Sequence, residues 1–244
     1  MRLSRLFVAQ PLREGDSLLL DAETSHYVRG VLRLRKGFDL TVFNGEGIEH
    51  AARVDLVARD EVRLRVGEAR CPAVESPLHT HLGLGISRGE RMDYAVQKAT
   101  ELGVSRMTPL FTEHCVVRLN EEKQETRHLH WQKVSRSACE QCGRTRPPQL
   151  DESLRLEDWL DRAVGLRLLF DPQGETCLRD LPAPEAGSVT LLSGPEGGFS
   201  DRERTLARQA GFTPVRLGPR ILRTETAVLA ALAVVQSLWG DWAA

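Results

Sequence analysis

Residues 191–200 read Leu-Leu-Ser-Gly-Pro-Glu-Gly-Gly-Phe-Ser. The apolar run Val189 to Leu192 that leads into them predicts a buried strand of a parallel sheet. The strand leaves into Gly194-Pro195-Glu196-Gly197-Gly198, three glycines in five positions. A packed core has no use for that many. They allow a sharp turn and let a ligand lie close against backbone. Ser200 with Glu203 three residues on is a capping box, so a helix is expected from Asp201. Strand, glycine turn and helix N-terminus together form the arrangement that binds nucleotides in α/β proteins.

The spacing narrows the class of nucleotide. It is not G-x-G-x-x-G, no acidic residue stands at a strand end about 20 residues on, and no Lys-Ser/Thr pair is present to hold phosphates. A second glycine turn follows instead. Val215 to Leu217 reads as a short strand, and LGPRILRTETA, Leu217 to Ala227, leaves it. Two such turns at neighbouring strand ends make a pocket lined mostly by backbone, which suits an uncharged adenosine better than a triphosphate. The plainer alternative is two tight turns and no ligand.

Outside this stretch the composition is that of a globular protein. The 244 residues allow one large domain or two smaller ones, with 41% apolar residues for a core. Thirty-three Lys and Arg against 34 Asp and Glu, a net charge of −1, argue against a generic polycation but leave room for a local basic face. No apolar run approaches the ~20 residues of a membrane span, and Leu6 to Ala9 is too short for a signal peptide. Five unevenly spaced cysteines fit reduced thiols in a cytoplasmic protein.

Residues 1–72 read as a small β domain. Leu6–Ala9, Leu18–Leu20, Phe38–Phe43, Val54–Val57 and Val62–Val66 are its strands, with a hairpin signal at Asn44-Gly45-Glu46-Gly47. Glu23–Leu34 between them reads as a helix, with Arg29, Arg33, Arg35 and Lys36 on its outer face and end. With Arg2 and Arg5 they form a candidate RNA patch; the alternative is a solvated helix end, where cations are favoured by the dipole. Two prolines between Cys71 and Pro77 mark a linker.

Residues 73–244 then alternate strands with helices. Strands are expected at Leu78–Ile86, Val104–Phe111, Glu113–Val117 and Leu166–Phe170, and helices at Arg88–Leu102, Glu121–Cys142 and Thr224–Trp239. The alternation implies a mainly parallel sheet with helices on both faces, an α/β fold. The last helix carries nine apolar residues in a row, Ala227 to Val235. A helix apolar all round is buried on all sides, either deep in the core or with one side against a second subunit.

Cys139-Glu140-Gln141-Cys142 has the spacing of a redox or zinc motif, but no second pair completes it, and two helix residues facing inward are the simpler reading. The histidine pairs His79/His81 and His128/His130 read as non-metal. No nucleophile elbow is present.

Taken together, SRGERMD (Ser87–Asp93), QKATELGVSRMTPLF (Gln97–Phe111), CEQCGRTRPP (Cys139–Pro148) and the two glycine stretches resemble the RsmE family. These are small-subunit (16S) ribosomal RNA uridine-N3 methyltransferases of the SPOUT superfamily. The similarity runs nearly end to end. It implies a PUA-like β-barrel domain for RNA over residues 1–72, and an α/β methyltransferase domain with a deep trefoil knot over residues 73–244. It also implies a homodimer and S-adenosyl-L-methionine as methyl donor; the cysteine usage places the protein in the cytoplasm, and the Cys and His spacings predict no metal.

By position, the resemblance puts the cofactor against Leu192, Ser193, Gly194, Gly197, Gly198, Leu217, Gly218, Ile221 and Leu222, with Thr226 where the chain threads back beneath it. Arg88, Lys98, Glu101, Glu140, Gln141 and Arg144 fall in family motifs outside those loops and join Arg5, Arg29 and Arg33 as the expected RNA path. Family members tend to carry arginine where this chain has His114. Uridine N3 carries a proton and is a poor nucleophile until that proton leaves. Arg223 is therefore expected to stabilise the developing anion, and Glu225 or Glu196 to act as base. The competing readings are a non-catalytic RNA-binding factor, which would not need both glycine turns, and a nicotinamide-dependent oxidoreductase, which lacks its glycine spacing and ribose carboxylate.

Overall fold

A computed structural model describes residues 3–59, 61–115 and 120–243. Arg2 and Val116–Val117 lie outside the described residues. The chain divides into two compact units, Met1–Glu75 with Cys139–Pro147, and Ser76–Ala138 with Pro148–Ala244.

The first unit is built on β1 (Ser4–Phe7), β2 (Ser17–Leu19), the short helix α1 (Ala22–His26), β3 (Asp39–Phe43), β4 (Glu49–Val57) and β5 (Val62–Arg70). The strands form one sheet in the order β1-β3-β4-β5-β2. Only the β1–β3 pairing is parallel. The path ends at β1 and β2, and among the described residues it does not close into a barrel. Period-two alternation sorts the side chains: Val62, Leu64 and Val66 of β5 are buried with Leu6, Leu40, Val42 and Val54, while Arg63 and Arg65 face out.

Helix α1 is capped by Asp21, whose side chain accepts from Thr24 N at 2.7 Å, and continues as a π-helical turn over Tyr27–Val31. The helix expected to reach Leu34 ends earlier. Arg33 takes φ +52°, and this left-handed step turns the chain so that Leu34 enters the core.

The segment from Cys139 to Pro147 is stitched into this unit by polar contacts. Glu140 Oε1 accepts from Phe7 N at 2.9 Å. Arg5 pairs with Glu49, donates to the Arg144 carbonyl at 3.1 Å and stacks over the Phe43 ring. Arg144 pairs with Glu75 at 2.8 Å, and the other Glu75 oxygen accepts from Thr145 N and Arg146 N.

The second unit contains β6 (His79–Gly85), α2 (Glu90–Glu101), β7 (Arg106–Phe111), α3 (Glu121–Cys142, up to Ala138), β8 (Gln149–Leu150), β9 (Leu154–Arg155) and α4 (Leu156–Leu160). It continues with β10 (Leu166–Phe170), β11 (Ser188–Ser193), α5 (Asp201–Gln209), β12 (Thr213–Val215) and α6 (Thr224–Trp239). The strands run β12-β10-β11-β6-β7-β8, with β9 also on β7, and every pairing is parallel. Helices cover both faces. Met92, Val96 and Ala99 of α2 join Val228, Leu232 and Val235 of α6 in one core, and Trp159 of α4 and Ala207 of α5 lie in the other.

Three expectations are corrected here. The last strand is Thr213–Val215, two residues early, because Asp171 N donates to Val215 O at 3.1 Å and Leu217 already belongs to the turn. Glu113 and His114 sit in a turn closed by Cys115 N to Thr112 O at 3.0 Å, not in an extended run. And α6 is not buried all round within the chain: Val228, Ala231, Leu232 and Val235 are covered, whereas Val234 and Leu238 are 37% and 38% exposed. No helix among the described residues is long and apolar enough to cross a membrane.

Candidate active site

Strand β10 lies between β12 and β11, so the C-terminal ends of these three parallel strands sit side by side. In open α/β sheets this is where ligands bind. A cleft of about 380 Å³ opens there, walled by three loops: Ser193–Phe199 without Gly197, Val215–Leu222 without Pro219, and Phe170–Pro172 after β10. The turns need their glycines. Gly198 has φ +67° and Gly218 φ +84°, the left-handed region that a side chain strains. The helix that follows starts as its sequence requires. Ser200 Oγ accepts from Glu203 N, and Glu203 Oε2 accepts from Ser200 N at 2.9 Å. The other oxygen of Glu203, a residue only 2% exposed, accepts from Glu113 N at 2.8 Å and fixes the neighbouring turn.

Of the residues expected at the cofactor, Ser193, Gly194, Gly198, Leu217, Gly218, Ile221 and Leu222 line the cleft. Leu192, Gly197 and Thr226 do not. Leu192 is fully buried in β11, and Thr226 is exposed on α6. Gly197 turns toward His114, whose Nδ1 lies 3.0 Å from its carbonyl; a Cβ at this glycine would stand 2.8 Å from the His114 Cβ.

Arg223 lines the cleft as the N-cap residue of α6, and Glu196 lines it from the first turn. Glu196 accepts from Arg91 Nη1 at 3.0 Å and from Arg88 N at 3.2 Å. Partial burial alone would raise its pKa. Backbone hydrogen bonds at Glu196 and Arg88, with the Arg91 guanidinium, outweigh that and hold the carboxyl below its ordinary range. Glu225, in the first turn of α6, lies outside the cleft lining, and its Oε2 is buried without a hydrogen-bond partner.

The expected RNA residues are divided between the two units: Arg5, Arg29, Arg33, Glu140, Gln141 and Arg144 belong to the first, and Arg88, Lys98 and Glu101 to the second. Arg29, Arg33, Arg88 and Gln141 are exposed. Lys98 is held by Glu101 at 2.7 Å. Arg5, through its two terminal nitrogens, and Glu140 and Arg144 make polar contacts inside the first unit.

Several lining residues had no sequence expectation, among them Arg91, Phe170, Asp171, Phe199, Arg204 and Arg216. Asp171-Pro172 reads in sequence only as a strand stop, and its place in the cleft depends on the sheet order. Cys139 is buried; its contact with the Cys142 thiol and its burial push its pKa up, away from thiolate chemistry. Among the described residues, no group of three or more His, Cys, Asp or Glu side chains could hold a metal ion.

Residues 74–236 match the model of the RNA methyltransferase domain family. The solved structure of a putative methyltransferase from Legionella pneumophila, in complex with bound S-adenosylmethionine, is 40% identical and superposes with a TM-score of 0.95 over 99% of this chain and 100% of that one. A ribosomal RNA small subunit methyltransferase E from Neisseria gonorrhoeae, bound to S-adenosylmethionine, is 35% identical, with a TM-score of 0.92 over 99% and 100%. The protein of the same name from Buchnera aphidicola (Schizaphis graminum) is 34% identical over 98% of both chains. With similarity of this depth along the whole length, and the glycine-turn cleft on the same fold, the chain belongs to the family of ribosomal RNA small subunit methyltransferase E.

Proposed function

We propose that this protein is an S-adenosylmethionine-dependent methyltransferase that methylates N3 of one uridine in 16S ribosomal RNA. The observation that carries the reading is the cleft between two glycine turns, in a chain whose full-length relatives are solved with S-adenosylmethionine bound. Its residues fit that molecule. The volume lies within the roughly 300–1,000 Å³ of small-molecule sites. Phe170, Val215, Leu217 and Leu222 offer apolar walls to an adenine. Ile221 stands 86% exposed at the rim, an apolar side chain that a ligand would cover.

S-adenosylmethionine supplies an electrophilic methyl group on a sulfonium. As uridine N3 forms its bond to that carbon, the carbon–sulfur bond breaks, and the N3 proton must leave. The chain aligns the two partners, which is mainly a proximity effect. Arg223, at the mouth of the cleft and the head of α6, stabilises the uridine anion as it develops. Glu225 takes the proton in preference to Glu196: hydrogen bonds from Arg91 and from backbone lower the Glu196 pKa and make it the weaker base, whereas Glu225 has an oxygen without a partner. The base must be unstacked or flipped to reach them.

The wider organisation follows the same reading. Residues 1–72 are an RNA-binding domain of PUA-like type and residues 73–244 the methyltransferase domain, of SPOUT type and knotted. Arg29, Arg33, Arg88 and Gln141, exposed in the structure, are the members of the RNA set most open to phosphate or base contact, with Lys98 and Glu101 as a paired contact on α2 and Arg5, Glu140 and Arg144 holding the Cys139–Pro147 segment in the first unit. Phosphate contacts by arginines make binding fall with salt. The uncovered side of α6, with Val234 and Leu238, supports a homodimer. The protein works in the cytoplasm, without a metal.

The test is methyl transfer to small ribosomal subunits that lack the modification, followed by digestion and identification of the nucleoside. N3-methyluridine at a single site is the expected product. A methyl group on ribose or another base, or none, overturns the assignment.

A further inference from the structure

We propose that Asp171 positions the cofactor, its carboxylate accepting a hydrogen bond from a ribose hydroxyl of the bound S-adenosyl group. The inference rests on the reading of the cleft as an S-adenosylmethionine site. Downstream of the first glycine turn the sequence has no strand-end carboxylate of the kind that holds a ribose. The sheet supplies one from upstream. Because β10 lies between β11 and β12, its last turn carries Asp171 to a point between the two glycine turns, and Asp171 lines the cleft.

The surroundings of this carboxylate are incomplete in a specific way. Asp171 is 3% exposed. Its Oδ1 accepts from Gln173 N at 2.9 Å, and its carbonyl accepts from Gly174 N at 2.9 Å, so the loop is held. Its Oδ2 lies 3.2 Å from Arg204 Nε, yet the two are misaligned, and each is a buried atom without a hydrogen bond. A buried acceptor and a buried donor, side by side and both unmet, are completed by a group that donates to one and accepts from the other. A hydroxyl does this. An ammonium or an adenine amino group only donates, and a carboxylate only accepts. Arg204 is also paired with Asp201 at 3.1 Å, so the cluster already holds its counter-charges and suits a neutral partner. The only hydroxyls of an S-adenosyl ligand are those of its ribose.

The experiment is calorimetric titration with S-adenosylhomocysteine and its 2′-deoxy and 3′-deoxy forms, on wild type, Asp171→Asn and Asp171→Ala. Wild type is expected to lose roughly tenfold in affinity for one of the two deoxy ligands, the size of a hydrogen bond to a charged group. Asp171→Ala loses about the same for the parent ligand and nothing further for that deoxy form, since the same bond is already gone. Asp171→Asn, which keeps the shape, behaves alike with a smaller loss. Equal wild-type affinity for all three ligands, an unchanged affinity in both variants, or losses that multiply would each overturn the role of Asp171 while leaving the methyltransferase reading standing; a water molecule filling the gap gives this pattern. Wild type that binds none of the three overturns both. If Asp171→Ala fails to fold, Asp171→Asn, which keeps size and shape, completes the same cycle with the deoxy ligands.

Discussion

At the N-terminal ends of β6 and β7, His81 Nε2 lies 2.8 Å from Thr108 Oγ1 and 3.3 Å from Trp159 Nε1. Thr108 donates to Asp151 at 2.6 Å, and Arg106 donates to the same oxygen at 2.8 Å. At the other end of the same sheet, Asp171 and Arg204 stand 3.2 Å apart and leave a donor and an acceptor unmet, and Glu225 has a buried oxygen without a partner. One end has its polar groups in mutual contact beneath a tryptophan, with His81 Nε2 facing both Thr108 and the indole N–H; the other keeps polar groups in reserve. A joined buried network rigidifies, and unmet buried groups that line a cleft are places for a ligand or a water molecule to bind. The closed end should therefore govern stability, and the open end chemistry.

The sharpest break in that comparison comes from exchanging the two outcomes. Glu225→Gln is expected to lower turnover by about 10²–10⁴-fold, the contribution of a general base, with cofactor affinity and melting temperature near wild type. Retained turnover would remove Glu225 from the base role. At the closed end, Trp159→Ala should cost about 3–5 kcal/mol of stability, because a fully buried indole is replaced by a cavity. Denaturant titration reads the loss, while the protein that remains folded should still bind cofactor. A collapse of binding without a loss of stability would invert the assignment of the two ends.

The closed end also has a pH signature. Burial, then the Arg106 cation, lower the His81 pKa from 6.5 to about 4, against the opposing pull of Asp151. The unfolded chain binds this proton first. The stability that neutral His81 preserves is therefore complete above pH 6.5 and is lost as pH falls toward 4. At about 1.4 kcal/mol per pH unit, the loss amounts to about 3 kcal/mol. Melting curves between pH 7 and 4 should show a steeper decline for wild type than for His81→Gln; parallel curves would exclude this histidine as the cause.

The smallest effect is expected at the rim of the open end. The bond between His114 Nδ1 and the Gly197 carbonyl is exposed, so His114→Ala should weaken cofactor binding only a few-fold, about 1 kcal/mol or less. His114→Asn, which can place a donor near the same position, should recover part of it. A large loss in both would mean that the turn depends on this contact far more than its exposure implies.

The comparison also separates what could be read from the chain from what could not. Strand β10, helix α3 and helix α6 lie at the residues their patterns indicate, and the capping box of Ser200 and Glu203 is formed. These are local matters of periodicity and capping. The seven expected residues that line the cleft lie at the end of β11 (Ser193) and in the two glycine turns, where a short motif carries its own backbone geometry. The closed network was out of reach, since His81, Thr108, Asp151 and Trp159 are scattered over 79 positions and meet only through strand order and the placement of α4.

By itself, the sequence determined the alternation of strands and helices, the two turns and the helix caps, because each depends on neighbours within a few residues. Only the tertiary structure decided that β10 is the strand between those turns, so that Asp171 enters the cleft, and that one side of an all-apolar helix stays uncovered. Both depend on which distant segments pair and pack, and in a parallel sheet the order of the strands is set by long-range burial that no local pattern encodes.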